Sequence, residues 1–405
     1  MNKIISSILV IVLMFVLCAC GSNVVSTETD VPAAEVSTEV PVKVGFIYLH
    51  DQNSTYDLNF LRGAQEACEE LGIEYINKTN IPEGNECYEA ASELVDDGCN
   101  IIFADSFGHE DYMIQAAAEH PDVQFCHATG TKAHTQGLAN YHNAFASIYE
   151  GRFLAGIAAG MKLNEFLKTE QITEDEAIVG YVGAFPYAEV VSGYTSFFLG
   201  VRYVCPSATM KVIFTGTWYD ESLEKEAANN LIEQGCVVLS QHADSMGAPT
   251  ACELAGVPDV SYNGSTIDVA PNTFIISTRI NWAPYFKYII NCVKNGEDIA
   301  TDWIGDFSTN SVQMTELNNK VAAPGTFEKL VEVEGLLKEG NIKVFDVNSF
   351  TVNGEHLTSY LADVDSDQNY EADTEVIVNG YFHESEFRSA PYFDILIDHI
   401  EILGN

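Results

Sequence analysis

An eleven-residue segment occurs twice in this chain. Glu89-Ala90-Ala91-Ser92-Glu93-Leu94-Val95-Asp96-Asp97-Gly98-Cys99 matches Glu226-Ala227-Ala228-Asn229-Asn230-Leu231-Ile232-Glu233-Gln234-Gly235-Cys236 at six of eleven positions, 137 residues apart (89 to 226). Solenoid units repeat every 20–50 residues, so an offset this long means a duplicated domain rather than a repeat array. Each copy sits in the same local plan. In the first half Val42–Tyr48 reads as a strand, Leu61–Leu71 as a helix closed by Gly72, and Glu74–Ile76 as a strand. Tyr88–Asp97 then reads as a helix and Ile101–Ala104 as a strand. In the second half Ile178–Val182, Lys211–Phe214 and Val237–Leu239 read as strands, with Gly193–Val204 and Glu226–Gln234 as the helices between them. Short β-branched runs alternating with helices predict right-handed βαβ units and parallel sheets. The fold class is α/β, in two similar halves.

Length agrees: 405 residues exceed what one hydrophobic core usually supports. With 47% hydrophobic and 11% aromatic residues, this is no disordered acidic chain. Charge excludes some partners. There are 59 Asp and Glu against 19 Lys and Arg, a net −40, and only Arg62, Arg152, Arg202, Arg279 and Arg388 are arginines. No stripe of cations is available to displace counterions, so nucleic acid is excluded as a partner and a polyphosphate ligand is disfavoured.

Lys3 precedes an apolar run, Ile4–Leu17, broken only by Ser6 and Ser7. It is too short for a spanning helix of about 20 residues but suits a signal-peptide core. Leu17-Cys18-Ala19-Cys20 follows and resembles the lipobox of bacterial lipoproteins. That resemblance implies a signal peptide over 1–19, lipidation at Cys20, and a location at the cell membrane, on its extracytoplasmic face, held by lipid rather than by a helix. Residues 20–41, rich in Ser, Thr, Val and acids, read as a flexible tether. The eight remaining cysteines lack any Cys-x-x-Cys or Cys/His metal spacing. They read as buried free thiols, with one disulfide left open.

In open parallel sheets ligands bind beyond the carboxyl ends of the strands. The segments there are His50–Tyr56, Asp105–Gly108, Gly183–Pro186, Thr215–Asp220, Gln241–Ser245 and Tyr262–Ser265. Nearly all carry an aromatic, a carboxylate or both, a combination suited to a flat heterocycle or a sugar. His127 and His242 end strands and are candidates for the cleft; His50, His109, His134 and His142 read as surface or core. Asp363–Glu371 alternates acids as an EF-hand loop does. It has Gln368 where that loop needs Gly and Thr374 where it needs Glu, so it reads as a solvated loop, with weak Ca²⁺ binding as the alternative. No nucleophile elbow and no phosphate-cradling glycine loop is present.

Several segments resemble, in order, the basic membrane protein (BMP, PnrA-like) family of substrate-binding lipoproteins. They are Ala104-Asp105-Ser106-Phe107-Gly108, His127-Ala128-Thr129-Gly130, Tyr149–Gly160, Val179–Pro186, Trp218-Tyr219-Asp220 and Asn281-Trp282-Ala283-Pro284-Tyr285. The resemblance covers Val42 to Phe345. It implies a type I periplasmic-binding-protein fold, two Rossmann-like lobes with parallel sheets joined by a hinge. The expected lobes are 42–142 plus about 278–300, and 143–277 plus about 301–345. The chain would cross near Asn140 and again over Ile276–Trp282, leaving 346–405 as a C-terminal extension continuing into an acidic tail of unknown role.

The resemblance further implies a monomeric receptor, not an enzyme, that captures a purine nucleobase or nucleoside and delivers it to an ABC transporter permease. No cofactor or metal is called for. The implied ligand-binding residues are Tyr56, Asn59, Asp105, Phe107, Phe185, Trp218, Asp244, Asn263 and Trp282. Two departures stand out. Many family members carry an Asp for the ribose hydroxyls where this chain has Asn263, and the family's Asp-Gly-Gly-Trp type loop is here Asn53-Ser54-Thr55-Tyr56. Loss of the charged ribose contact favours a free base. Alternatives are a nucleoside hydrolase using Asp105 and Asp244, or a sensing or adhesion lipoprotein reusing the fold.

Overall fold

A computed structural model describes residues 41–365, 367 and 371–404. Residues 1–40, where the signal peptide, the lipidated Cys20 and most of the tether are expected, lie outside the described residues.

The first half runs β1 (Lys43–Ile47), α1 (Thr55–Leu71), β2 (Glu74–Lys78), α2 (Asn85–Asp96) and β3 (Ile101–Ala104). It continues with α3 (Glu110–Glu119), β4 (Gln124–Ala128), the short α4 (Ala133–Gln136) and β5 (Tyr141–Ala146). The second half opens on α5 (Ile148–Lys168), β6 (Ile178–Gly183), α6 (Ala188–Val204), β7 (Thr209–Phe214) and α7 (Glu221–Glu233). It continues with β8 (Val238–His242), α8 (Gly247–Ala255), β9 (Asp259–Tyr262) and β10 (Phe274–Ile280). Next come α9 (Ala283–Asn295), β11 (Asp302–Gly305), β12 (Val312–Met314) and α10 (Thr326–Lys338).

Two sheets result. The first has the order β11-β5-β4-β3-β1-β2; the second contains β12-β10-β9-β8-β6-β7. All pairings in these runs are parallel except that of β12 with β10. Strands β1 to β5 of the first sheet correspond in order to β6 to β10 of the second. The repeated segment thus occupies the same place in each half, as α2 leading to β3 and as α7 leading to β8. The fully buried sequence Ile101–Ala104, apolar on both faces, is what a central parallel strand requires.

The chain passes between the sheets three times, after β5, after β10 and after β11. The first crossing follows Ala146 rather than lying near Asn140, and Asn143–Ala146 and Asp302–Gly305 belong to the first sheet, where β11 pairs along β5. A strand reading Tyr-His-Asn-Ala-Phe-Ala has no β-branched run to mark it. The second crossing falls at Ile280–Ala283, and α9 packs back on α1 in the first lobe. The third crossing, which the expected lobe bounds put at about 300–301, follows Gly305.

Three helices begin five or six residues earlier than their apolar period indicates: at Thr55, Ala188 and Glu221 rather than Leu61, Gly193 and Glu226. Ser54 caps α1 by accepting the Asp57 amide, and Asp220 caps α7 by accepting those of Ser222 and Leu223. The added turns of α1 and α6 bring Tyr56, Asp57 and Glu189 to the space between the lobes, while Phe60, Val190 and Val191 of the same turns enter the cores.

Residues 346–404 are no acidic tail. Phe350, Phe382, Phe393, Ile397 and Ile400 enter the second-lobe core, with Phe393 stacked on Phe345 at 4.5 Å. Four two-residue strands, β13 (Leu361–Ala362), β14 (Thr374–Glu375), β15 (Ile377–Val378) and β16 (Tyr381–Phe382), form small hairpin pairs. The last, β17 (Ile400–Ile402), adds to the second sheet alongside β7. All eight cysteines from Cys68 to Cys292 are buried and free.

Candidate functional site

The carboxyl ends of both sheets and the first turns of the helices that follow face one narrow cleft. From the first lobe come Leu49 and His50 after β1, Tyr56 and Asp57 in the first turn of α1, Ser106 and Phe107 after β3, and Thr129 after β4. From the second come Glu189 in the first turn of α6, Trp218 after β7, and His242 and Asp244 at and after the end of β8. Thr129 has φ 63°, a left-handed conformation that a β-branched residue adopts only under constraint.

Of the residues implied from sequence, Tyr56, Phe107, Trp218 and Asp244 line this cleft. The other five do not. Trp282 is 1% exposed and stacks on Phe60 at 4.4 Å inside the first-lobe core, so no ligand reaches it. Asp105 lies behind Tyr56: the Tyr56 hydroxyl donates to its carbonyl at 2.8 Å, and its carboxylate takes the Leu49 amide at 3.1 Å. Phe185 backs the wall, stacked on Tyr187 at 5.0 Å and edge-on to Trp218 at 5.1 Å. Tyr187 in turn stacks on Phe107 of the other lobe at 5.2 Å.

Asn59 and Asn263 meet each other instead of a ligand. The Asn59 amide donates to the Asn263 carbonyl at 2.7 Å, from the first lobe to the second, and both residues are buried. The left-handed backbone of Asn263, φ 64°, accompanies this approach. Beside it the Thr55 amide and hydroxyl both donate to the Asp244 carbonyl, at 3.1 and 3.3 Å. The described lobes are therefore joined across the cleft in a closed arrangement.

Electrostatically the cleft is acidic. Its wall contains Asp57, Glu189 and Asp244 and no Lys or Arg. Burial pushes the Asp57 carboxyl up, but hydrogen bonds from His50 and Ser54 outweigh it and hold the group below its ordinary value. The Ser54 hydroxyl donates at 2.5 Å and the His50 amide at 2.7 Å. Burial, then the nearby Asp57, Glu224 and Glu189, push Asp244 well up, and burial with Asp57 does the same to Asp105. The deeper of these acids favour their neutral, hydrogen-donating form. His242 is lowered by burial against the opposing pull of Glu189, whose Oε1 lies 3.4 Å from its Nε2. Arg152 of the quoted Tyr149–Gly160 segment is kept out of the cleft. Its guanidinium donates to the Tyr181 hydroxyl and to the Gln241 carbonyl, and lies 4.4 Å from the Tyr262 ring.

His127 is buried with Nε2 on the Ser106 carbonyl at 2.7 Å and is absent from the lining, whereas His50 is part of it. Sequence reasoning also missed Asp57 and Glu189. Ser54-x-x-Asp57 is a helix-start pattern, and reading it as one would have placed Asp57 on the first turn facing the strand ends. Among the described residues one carboxylate cluster, Asp365, Asp367 and Asp373, has metal-ligand spacing, and it lies on the extension away from the cleft.

Two parallel-sheet lobes, linked by three crossings around a cleft at the strand ends, define a solute-binding protein of the type I periplasmic fold. A solved ABC transporter solute-binding protein from Aeropyrum pernix K1 shares this fold at a TM-score of 0.63 and 18% identity, over 78% of this chain and 95% of its own. The model of the PnrA-like ABC transporter substrate-binding proteins (Bmp) matches residues 48–346, and the chain belongs to that family. A purine-binding protein of Brucella abortus (strain 2308) is 32% identical over 317 residues, 76% of this chain and 84% of that relative. A putative ABC transporter glucose-binding protein of Haloferax volcanii is 30% identical over 279 residues, 69% of this chain but 65% of the relative. Members of the family bind solutes outside the cytoplasm for an ABC permease. Among the described residues no helix is long and apolar enough to cross a membrane.

Proposed function

We propose that this protein, anchored by lipid at Cys20, closes its lobes on one purine nucleobase or nucleoside and delivers it to an ABC permease. The observation that carries this reading is a cleft wall combining Tyr56, Phe107 and Trp218 with Asp57, Glu189 and Asp244 and no cation. Aromatic faces accept the flat π-system of a purine, Asp57, held in its charged form, accepts an N–H group in a strong hydrogen bond, and Asp244, pushed toward its neutral form, donates to a ring nitrogen or carbonyl. A nucleotide phosphate would meet uncompensated negative charge there. A free base is favoured over a nucleoside because Asn263 replaces the charged ribose contact expected there and its side-chain amide donates to Asp244 Oδ1 at 3.5 Å. The purine-binding Brucella relative supports the same ligand class.

A sugar is the second reading, supported by the glucose-binding description of the Haloferax relative. Hydrolysis by the pair Asp105 and Asp244 is disfavoured: both would have to face the scissile bond, and Asp105 stands behind Tyr56. Thermal-shift and calorimetric titration with nucleobases, nucleosides and monosaccharides decides the ligand. Stabilisation by a purine supports the proposal; stabilisation by a sugar and by no purine overturns it. For the anchor, Cys20→Ala should move the protein from the membrane fraction to the soluble fraction.

A further inference from the structure

The family match ends at residue 346, and no role attaches to the chain beyond it. That extension is built into the second lobe, through β17 beside β7 and through Phe382 and Phe393 in its core. It does not stay there. The Ser389 amide and hydroxyl both donate to Asp302 Oδ1, at 2.8 and 2.6 Å. Asp302 opens β11, which pairs with β5 in the first sheet. Ser389 is fully buried. Its neighbour Arg388 donates to the Asp363 carbonyl at 3.0 Å and lies over the Tyr392 ring at 5.6 Å, which fixes the reaching segment to the rest of the extension. On the first-lobe side His134 of α4 faces the same junction, within electrostatic reach of Asp302, Arg388, Asp363 and Asp365.

Asp302 stands three residues before Gly305, where the third crossing begins. A segment rooted in one lobe and bonded to the other resists any rotation that lengthens those bonds, and contacts of 2.6 and 2.8 Å are lost within about an ångström of stretch. We infer that the C-terminal extension is an interlobe strap, with Ser389 on Asp302 as its fastening, that restrains opening of the cleft and so positions the receptor near closure before solute arrives. The idea rests on the two-lobe architecture and not on which solute is bound.

The test is made on the intact chain without ligand. Spin labels carried by unnatural amino acids at the exposed Glu69 and Glu233, one on each lobe, report the interlobe distance by pulsed electron resonance. Ser389→Ala removes one of the two bonds, and Asp302→Asn replaces a charged acceptor with a neutral one of the same size. Each is expected to raise the open population about fivefold or more. The double variant is expected to open further than either single but by less than their sum, because the two substitutions weaken one shared contact. Distance distributions unchanged from wild type, or effects that simply add, would overturn the strap. If Asp302→Asn does not fold, Ser389→Ala alone decides by the same distances.

Discussion

Asn59→Ala separates two roles that a residue at the mouth of a binding cleft can play. If Asn59 bound the ligand, truncation would weaken some ligands more than others. Instead its amide donates across the cleft to the Asn263 carbonyl at 2.7 Å and to the Thr55 carbonyl at 3.2 Å, and its Oδ1 lies 3.4 Å from Arg279 Nη1. Removing the amide leaves a buried carbonyl without its interlobe donor, a loss of about 1–3 kcal/mol from the closed state. Apparent affinity scales with the fraction of closed, binding-competent molecules, so it should fall about 5- to 150-fold. The loss should be the same factor for every ligand bound, leaving rank order intact. Asn59→Asp should be worse than Asn59→Ala, since a carboxylate would face a carbonyl oxygen. Isothermal titration against several purines, with stopped-flow dissociation rates, measures this. Affinity within twofold of wild type, or a changed rank order, would refute the latch.

Trp218→Ala should weaken purine binding about tenfold or more, as expected for loss of a stacking face, with little change in thermal stability. Phe185→Ala should lose less in titration, because Phe185 touches Trp218 and Tyr187 rather than the cleft. Trp282→Ala should instead destabilise the fold by about 3–5 kcal/mol in denaturant unfolding, being a core truncation. Burial raises Glu150, Glu224, Asp259 and Glu384 each to about 7. Folded values above the unfolded ones favour the native state below about pH 4 and withdraw that stability as pH rises through about 7. Asp57, held low, has the opposite sign and matters only in acid. Buried His127 and His142, lowered to about 3 and about 4, pull the other way below about pH 7, so the comparison is between variants: Glu384→Gln should gain melting temperature relative to wild type as pH rises from 5 to 8, and no such gain would contradict the assignment.

Much of the architecture is legible in the chain. Strand-forming runs such as Ile101–Ala104 are local signals, and the duplicated segment at 89 and 226 fixes two like halves because each βαβ unit satisfies its backbone internally. The rule that ligands sit at strand ends pointed to the segments that hold Tyr56, Phe107, Trp218 and Asp244, and the family resemblance picked out those residues within them. Helix starts were less legible, since a first turn that faces a cleft has no apolar stripe, and Asp57 and Glu189 were hidden there.

What only the tertiary structure decided is which of two surfaces a strand-end residue meets. Asn59, Asn263 and Trp282 have residue types suited to a ligand, yet two are spent on joining the lobes and one on filling a core, because those partners come from chain segments some 200 residues apart (59 and 263, 60 and 282). The extension shows the same dependence. Its aromatics are too irregularly spaced to give any period, and they become core only against the surface of a lobe already formed. Sequence by itself determines the local elements and their duplication; which of their polar groups remain free for a solute is set by how closely the two halves approach.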